Sequence, residues 1–144
     1  MASVVFDASS LVGALLNADS IPEQALHLAR ANAVICLSRE VSDEIQRVFS
    51  RPKFRAAAHR SHLILQIIGG SAVWHQPRTK VADCRDAKDN KYLELALEAG
   101  ADTIVSSDAD LLVLHPWRGI SIIRPAEYVA RFQPAMSPPA PGTP

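Results

Sequence analysis

The sequence contains little cysteine, and its cysteines lack the spacing that is typical of a metal site. Cys36 and Cys84 are the two cysteines among 144 residues, and neither belongs to a CxxC pair. This pattern gives no support for a disulfide framework or for a zinc site built from thiolates. We expect both side chains to be buried, reduced thiols.

Long hydrophobic runs are also missing. The densest apolar stretch, residues 63–68, is interrupted by Gln66, and it is far shorter than the ~18–20 residues that cross a bilayer. The first residues do not resemble a signal peptide, because Asp7 interrupts the apolar segment and the first basic residue is Arg30. We therefore predict a cytoplasmic protein that does not contact a membrane.

Acidic residues are absent from one long segment, residues 45–82, although the formal net charge of the chain is zero. The bases of that segment are Arg47, Arg51, Lys53, Arg55, Arg60, Arg78 and Lys80. Directly after it come the aspartates Asp83, Asp86, Asp89, Asp102, Asp108 and Asp110. This segregation raises the hypothesis that the protein holds a polyanion beside a carboxylate-bound metal.

Short apolar runs alternate with segments of helical periodicity. The runs are residues 3–7, 33–37, 72–74, 102–106 and 120–123, and the helical segments lie around residues 11–16, 24–30, 41–49, 55–68 and 87–97. Most runs do not alternate in polarity, which is typical of strands covered on both faces. We predict an α/β fold, a three-layer α/β/α sandwich with a central, mainly parallel sheet of four to five strands. Residues 1–132 form a single domain in this prediction, and the proline-rich residues 133–144 form a disordered tail.

Aspartates follow the ends of two predicted strands and begin a predicted helix. Asp7 ends the first run, Asp108 and Asp110 follow the fourth, and Asp86 and Asp89 stand at the start of the helix after residue 86. Each one alone is explained as a helix cap or as a carboxylate that complements a helix dipole. Together, however, they crowd negative charge at one edge of the sheet, which a cation would neutralise. Oxygen ligands favour Mg²⁺ or Mn²⁺ over zinc.

Glu44 is the acid of the helix over residues 39–50 that is best placed to face inward. The apolar stripe of that helix consists of Val41, Ile45, Val48 and Phe49. At ~100° per residue, Glu44 lies at the border of this stripe. An ion pair with Arg47, three residues later, is an equally good interpretation of Glu44.

These residues, in their order and spacing, resemble the PIN-domain ribonucleases, and specifically the toxin components of toxin–antitoxin pairs. The resemblance extends from Val4 to about Phe132. It rests on the segments Val4–Ser9, Glu44 with Val48–Phe54, Asp86–Asn90 with Leu93 and Ala96, and Ala101–Asp108.

The resemblance implies a metal-binding carboxylate quartet, which also carries the catalysis: Asp7, Glu44, Asp89 and Asp108. Asp110 is a further possible ligand, and Ser9, Ser106 and Asp86 would orient the ligands or a water molecule. The family often has Thr-x-Asp at the last position, where this chain has Ser106-Ser107-Asp108, a departure that keeps the hydroxyl. The implied cofactor is Mg²⁺ or Mn²⁺.

The implied activity is endonucleolytic cleavage of RNA phosphodiesters by metal-activated water. The basic stretch from Arg47 to Arg60 would hold the RNA backbone, with Arg47, Arg51, Lys53 and Arg55 as the RNA-binding residues. The implied partners are single-stranded or structured RNA, a cognate antitoxin protein and a second copy of the chain in a homodimer.

Two other classes of function stay open at this point. Asp108-Ala109-Asp110 after a strand is similar to the Asp-x-Asp motif of haloacid-dehalogenase-like, Mg²⁺-dependent phosphatases, although that motif usually opens the chain. A non-catalytic interaction module is the other alternative, and it predicts no binding of divalent ions.

Overall fold

Five short parallel strands form one sheet at the centre of the structure, which is a computed structural model that describes residues 2–133. The strands are β1 (Ser3–Phe6), β2 (Val34–Leu37), β3 (Val73–Trp74), β4 (Thr103–Val105) and β5 (Ser121–Ile123). Their spatial order is β3-β2-β1-β4-β5, and every neighbouring pair is parallel. Apart from Gln133, the segment predicted to be a disordered tail lies outside the described residues.

Helices flank this sheet, and the chain has the predicted three-layer α/β/α architecture. The helices are α1 (Ala8–Leu16), α2 (Ile21–Asn32), α3 (Arg39–Phe49), α4 (Ala58–Ser71), α5 (Asn90–Ala99), α6 (Ala109–Leu112) and α7 (Pro125–Ala130). Side chains cap several of them, as when the hydroxyl of Ser38 accepts from the backbone N–H of Val41 at 3.2 Å and starts α3. Gly100 ends α5 in the left-handed conformation, with φ 63°, which glycine adopts without strain.

The central strands are buried on both faces, as their apolar sequences predict. Val4, Val5 and Ile104 are at most 1% exposed, and Val5 lies opposite Ile104 in the register of β1 and β4. Cys36 and Cys84 are buried free thiols, as expected. The edge strand β3 differs, since both of its residues are exposed.

Three local features differ from the sequence-based expectations. A 3₁₀ turn over Pro52–Ala57 precedes α4, and a second one over Ala87–Asp89 precedes α5. Helix α7 was not predicted, although Pro125 stands at its first position, where proline is favoured. It is held by Tyr128, whose ring packs edge-on against Phe6 with 6.1 Å between the ring centroids.

Within residues 2–133, no helix combines the length and the hydropathy that a bilayer-spanning segment needs.

Candidate active site

Asp7 lies where β1 ends and α1 begins, and it is nearly inaccessible to solvent, with 2% exposure. Its Oδ1 accepts from the backbone N–H of Ser10 at 2.9 Å, so it caps α1 as predicted. The Ser9 hydroxyl contacts both carboxylate oxygens at 2.8 Å. Burial raises the pKa of Asp7, and the hydrogen bonds from Ser106, Ser10 and Ser9 oppose that rise.

The hydroxyl of Ser106 connects Asp7 to the segment that carries Asp108. Phe6 and Val105 are partners in the β1–β4 register, so the residues after them, Asp7 and Ser106, emerge side by side from the sheet. Ser106 donates a short hydrogen bond to Asp7 Oδ2 and accepts from the backbone N–H of Asp108 at 2.9 Å. Ser9 forms a parallel link, because its hydroxyl accepts from the backbone N–H of Ser107 at 3.1 Å.

Three aspartates from two segments form a compact group beside this link. Carboxylate oxygens of Asp86, Asp89 and Asp110 all lie within 4.8 Å of one another. Asp86 caps the turn before α5 by accepting from the N–H of Lys88 at 3.1 Å. Asp110 is brought there by α6, whose start contacts the loop before Asp86, because the Cys84 thiol donates to the Asp110 carbonyl at 3.5 Å.

A cleft of about 360 Å³ collects most of the predicted acids. Its acidic lining residues are Asp7, Glu44, Asp86, Asp89 and Asp108. Asp110 is absent from the lining of this cleft and approaches it through the group with Asp86 and Asp89. The sheet edge therefore gathers carboxylates from four separate parts of the chain, which is the crowding that the sequence predicts.

Asp89 responds to this crowding most strongly. Its pKa is raised to about 7, and burial makes the largest contribution. The Asp108 carboxyl beside it makes the next contribution, and the charges of Asp86 and Asp7 add to the rise. The Asp89 carboxyl of the metal-free chain therefore holds its proton to a higher pH than an ordinary aspartate does. This behaviour is expected of a site that accommodates a cation.

Glu44 faces the cleft from α3, at the border of the apolar stripe where the helical geometry predicts it. Both of the interpretations offered for it apply, since it lines the cleft and also pairs with Arg47. Lys91 approaches from α5, with its Nζ 3.6 Å from Glu44 Oε2. Burial lowers the pKa of Lys91, and the charge of Arg47 lowers it further.

Sequence reasoning missed three residues of the site: Lys88, Lys91 and Tyr92. Lys88 and Tyr92 line the cleft, and the Tyr92 hydroxyl accepts from the backbone N–H of Ala8 at 3.2 Å. Burial raises the pKa of Tyr92, so its hydroxyl is neutral. Tyr92 is three residues after Asp89 and shares a helix face with it, a spacing that could have identified it.

The predicted RNA-binding residues occupy different places. Arg51 and Lys53 line the acidic cleft, whereas Arg55 lines an adjoining concavity and Arg47 pairs with Glu44. Arg60, at the end of the predicted basic stretch, lines neither of these concavities. Arg60 points to the end of α1, where it donates to the carbonyls of Ala14 and Leu15 at 2.8 and 3.3 Å and pairs with Glu23.

The acid group fits a hard divalent cation. Asp89 Oδ2 is buried and has no hydrogen-bond partner among residues 2–133, which is costly unless a ligand satisfies it. Every side-chain donor in the group of Asp86, Asp89 and Asp110 is an oxygen, the ligand type that Mg²⁺ and Mn²⁺ prefer.

Comparisons with known proteins agree with this fold. The PIN-domain family model matches residues 3–110. An uncharacterized protein of Methanocaldococcus jannaschii, MJ1680, is 27% identical over 146 residues, covering 93% of this chain and 94% of that protein. The crystal structure of PAE2754 from Pyrobaculum aerophilum superimposes with a TM-score of 0.57 at 17% identity, covering 90% of this chain and 88% of the other.

PIN domains are generally nucleases and typically bind divalent metals. The family match spans the strands and helices that carry Asp7, Glu44, Asp89 and Asp108. This chain belongs to the PIN-domain family.

Proposed function

We propose that this protein is a Mg²⁺- or Mn²⁺-dependent endoribonuclease and the toxin of a toxin–antitoxin pair. The observation that carries the proposal is the convergence of Asp7, Glu44, Asp89 and Asp108 on one cleft. Family membership supports a nuclease, and the basic residues at the rim of the cleft, Arg51 and Lys53, support a polyanionic substrate.

Asp7, Glu44, Asp89 and Asp108 would hold the divalent ion, with Asp86 and Asp110 as further oxygen ligands beside Asp89. When bound, the ion would activate a water molecule and neutralise charge on the phosphate and the leaving oxygen.

Side chains around the acids hold them in place before any ligand arrives. Ser106 and Ser9 fix both oxygens of Asp7, while Arg47 and Lys91 restrain Glu44 from two helices. Such restraint lowers the reorganisation that substrate and ion binding require. Arg51 and Lys53 would neutralise RNA phosphates next to the acids.

The proposed partners are RNA, an antitoxin protein and a second copy of the chain. An acidic segment of an antitoxin that covers the cleft would contact Arg51 and Lys53, as RNA would, since both ligands are anionic. Sedimentation of the purified chain tests the homodimer, and a monomer at all concentrations would contradict it.

Cleavage of a labelled single-stranded RNA tests the activity. We expect cutting with Mn²⁺ or Mg²⁺, none with EDTA, and none by the Asp89→Asn chain. Asp19→Asn is the matched control, because Asp19 lies in the loop beyond the far end of α1 and its left-handed backbone, with φ 58°, tolerates asparagine. Full activity of Asp89→Asn, or equal loss in both variants, would contradict the proposal.

A further inference from the structure

A second concavity adjoins the acidic cleft on the side of α4. It has a volume of about 350 Å³ and shares two lining residues with the cleft, Arg51 and Phe54. Its other lining includes Phe49, Arg55, Ser61 and His62. None of its lining residues is acidic, in contrast to the cleft next to it.

The 3₁₀ turn over Pro52–Ala57 gives this concavity its shape. Phe54 is buried, with 6% exposure, and fixes the turn to the core. Arg51 precedes Pro52 in an extended conformation, with φ −61° and ψ 141°, so its side chain leaves the path of α3. Arg51 therefore stands at the boundary between the two concavities.

The bases of the acid-free segment divide into two groups by their partners. Three of them pair with a glutamate: Arg47 pairs with Glu44, and Arg60 pairs with Glu23. Arg78 pairs with Glu98. Arg51, Lys53, Arg55 and Lys80 form no ion pair with any group of residues 2–133, and the first three lie within or directly before the 3₁₀ turn. Unpaired cations beside one another raise the local positive potential, which an anionic ligand would relieve.

We propose that this second concavity binds the RNA nucleotide adjacent to the scissile phosphodiester, so that the strand runs from the acidic cleft over Arg51 to Arg55 and His62. The proposal rests on the endoribonuclease activity proposed above and defines the path of its substrate. Arg47 lines neither concavity and pairs with Glu44.

The chemistry of the concavity suits a ribonucleotide. Arg55 would contact a phosphate, and the accessible apolar lining of Ala58 and Leu65 suits a sugar or base. The Ser50 hydroxyl donates to the carbonyl of Gln46 at 2.7 Å, which leaves its oxygen free to accept from a ribose 2′-hydroxyl. Continuity with the cleft favours a strand that occupies both concavities over an acidic protein segment.

Binding of uridine oligonucleotides of two to eight residues to the Asp89→Asn chain, with Mg²⁺ present, tests the path. Affinity should rise once the RNA reaches both concavities. Arg55→Ala should remove that gain, up to about fivefold at low salt, and lower the salt slope for long RNA by about 0.7. The dinucleotide spans one phosphodiester, so it should bind equally to the Asp89→Asn chain with and without Arg55→Ala.

Arg78→Ala is the matched control, since it removes the same charge from an arginine of the acid-free segment that is paired with Glu98. His62→Gln should reduce the affinity of long RNA only, and circular dichroism should show each variant folded. Equal effects of Arg55→Ala and Arg78→Ala at every length would overturn the proposal. Loss of affinity for polyglutamate with RNA affinity unchanged would overturn it too, and would assign the concavity to an acidic protein.

The two proposals fail separately in this design. If the unmodified chain cuts RNA with Mn²⁺ while Arg55→Ala behaves as Arg78→Ala does, the path is wrong and the activity stands. If the unmodified chain cuts no RNA but Arg55→Ala removes the length-dependent gain, the activity is wrong and the binding site stands.

Discussion

Ser106 donates a hydrogen bond to the carboxylate of Asp7 across a sequence separation of 99 residues. Both residues follow directly after paired strand positions, Val105 and Phe6. The contact therefore depends on the parallel pairing of β1 and β4, and it fixes the ends of these two strands relative to each other.

Ser106→Ala should destabilise the protein by about 1–3 kcal/mol, because Asp7 is buried and loses a donor that water cannot replace. Thermal melting without metal measures this loss. Ser107→Ala is the matched control, since the neighbouring residue is exposed and contributes only its backbone N–H to the network. Equal melting temperatures of the two variants would show that the Ser106 hydroxyl does not stabilise the folded protein.

The acid group should make the metal-free protein less stable as the pH rises from about 4 to about 7. Asp89 has its pKa raised to about 7 from the usual aspartate value of 3.8, so the folded chain binds its proton more tightly than the unfolded chain across this window. The stabilisation is complete below the unfolded pKa and is lost as the pH passes the folded pKa. The raised pKa of Asp7 acts in the same direction.

Asp89→Asn should flatten this pH dependence and melt at a higher temperature than the unmodified chain at pH 8 in EDTA. Added Mg²⁺ should raise the melting temperature of the unmodified chain more at pH 8 than at pH 5, because protons compete with the ion. A melting temperature of Asp89→Asn that falls with pH as steeply as that of the unmodified chain would contradict the role of Asp89.

Arg51→Ala with Lys53→Ala should weaken binding of all single-stranded RNA sequences about equally. Both side chains are exposed at the rim of the cleft, so the double substitution should cost little stability. Loss of two phosphate contacts should flatten the salt slope by about 1.4. Titrations of the Asp89→Asn chain at several salt concentrations measure it, and an unchanged slope would exclude these residues from the RNA path.

The sequence predicted the sheet well because its strands are short apolar runs separated by helical segments. Each of the five predicted runs contains an observed strand, and a sheet buried on both faces leaves little choice of identity for residues such as Val5 and Ile104. The two 3₁₀ turns were not distinguished from the helices that follow them, since the same residues suit both conformations.

The acids of the site were predictable for a local reason, and their neighbours were not. Strand ends and helix starts identify Asp7, Asp89 and Asp108 from short segments. Lys91 contacts Glu44 only because α3 and α5 pack together, and no local sequence pattern predicts that contact. Asp110 joins Asp86 and Asp89 through the loop that Cys84 anchors, which is equally a tertiary effect.

Arg60 makes contacts that charge patterning alone does not predict. It belongs to the acid-free segment, yet its guanidinium binds the carbonyls at the end of α1 and pairs with Glu23 of α2. Cations at the end of a helix complement its dipole, and this one also joins α1, α2 and α4.

Arg60→Ala should therefore lower the free energy of unfolding by about 1.5–3 kcal/mol, the range for hydrogen bonds to a charged group. Arg55→Ala should leave stability nearly unchanged, since Arg55 is exposed and forms no ion pair within residues 2–133. RNA affinity should show the reverse order, with a loss for Arg55→Ala and none for Arg60→Ala at temperatures where both are folded. Urea unfolding and RNA titration of the two variants, both measured in the Asp89→Asn chain, give the comparison. If Arg60→Ala weakens RNA binding as much as Arg55→Ala while unfolding at the same urea concentration as the parent chain, Arg60 belongs to the RNA surface after all.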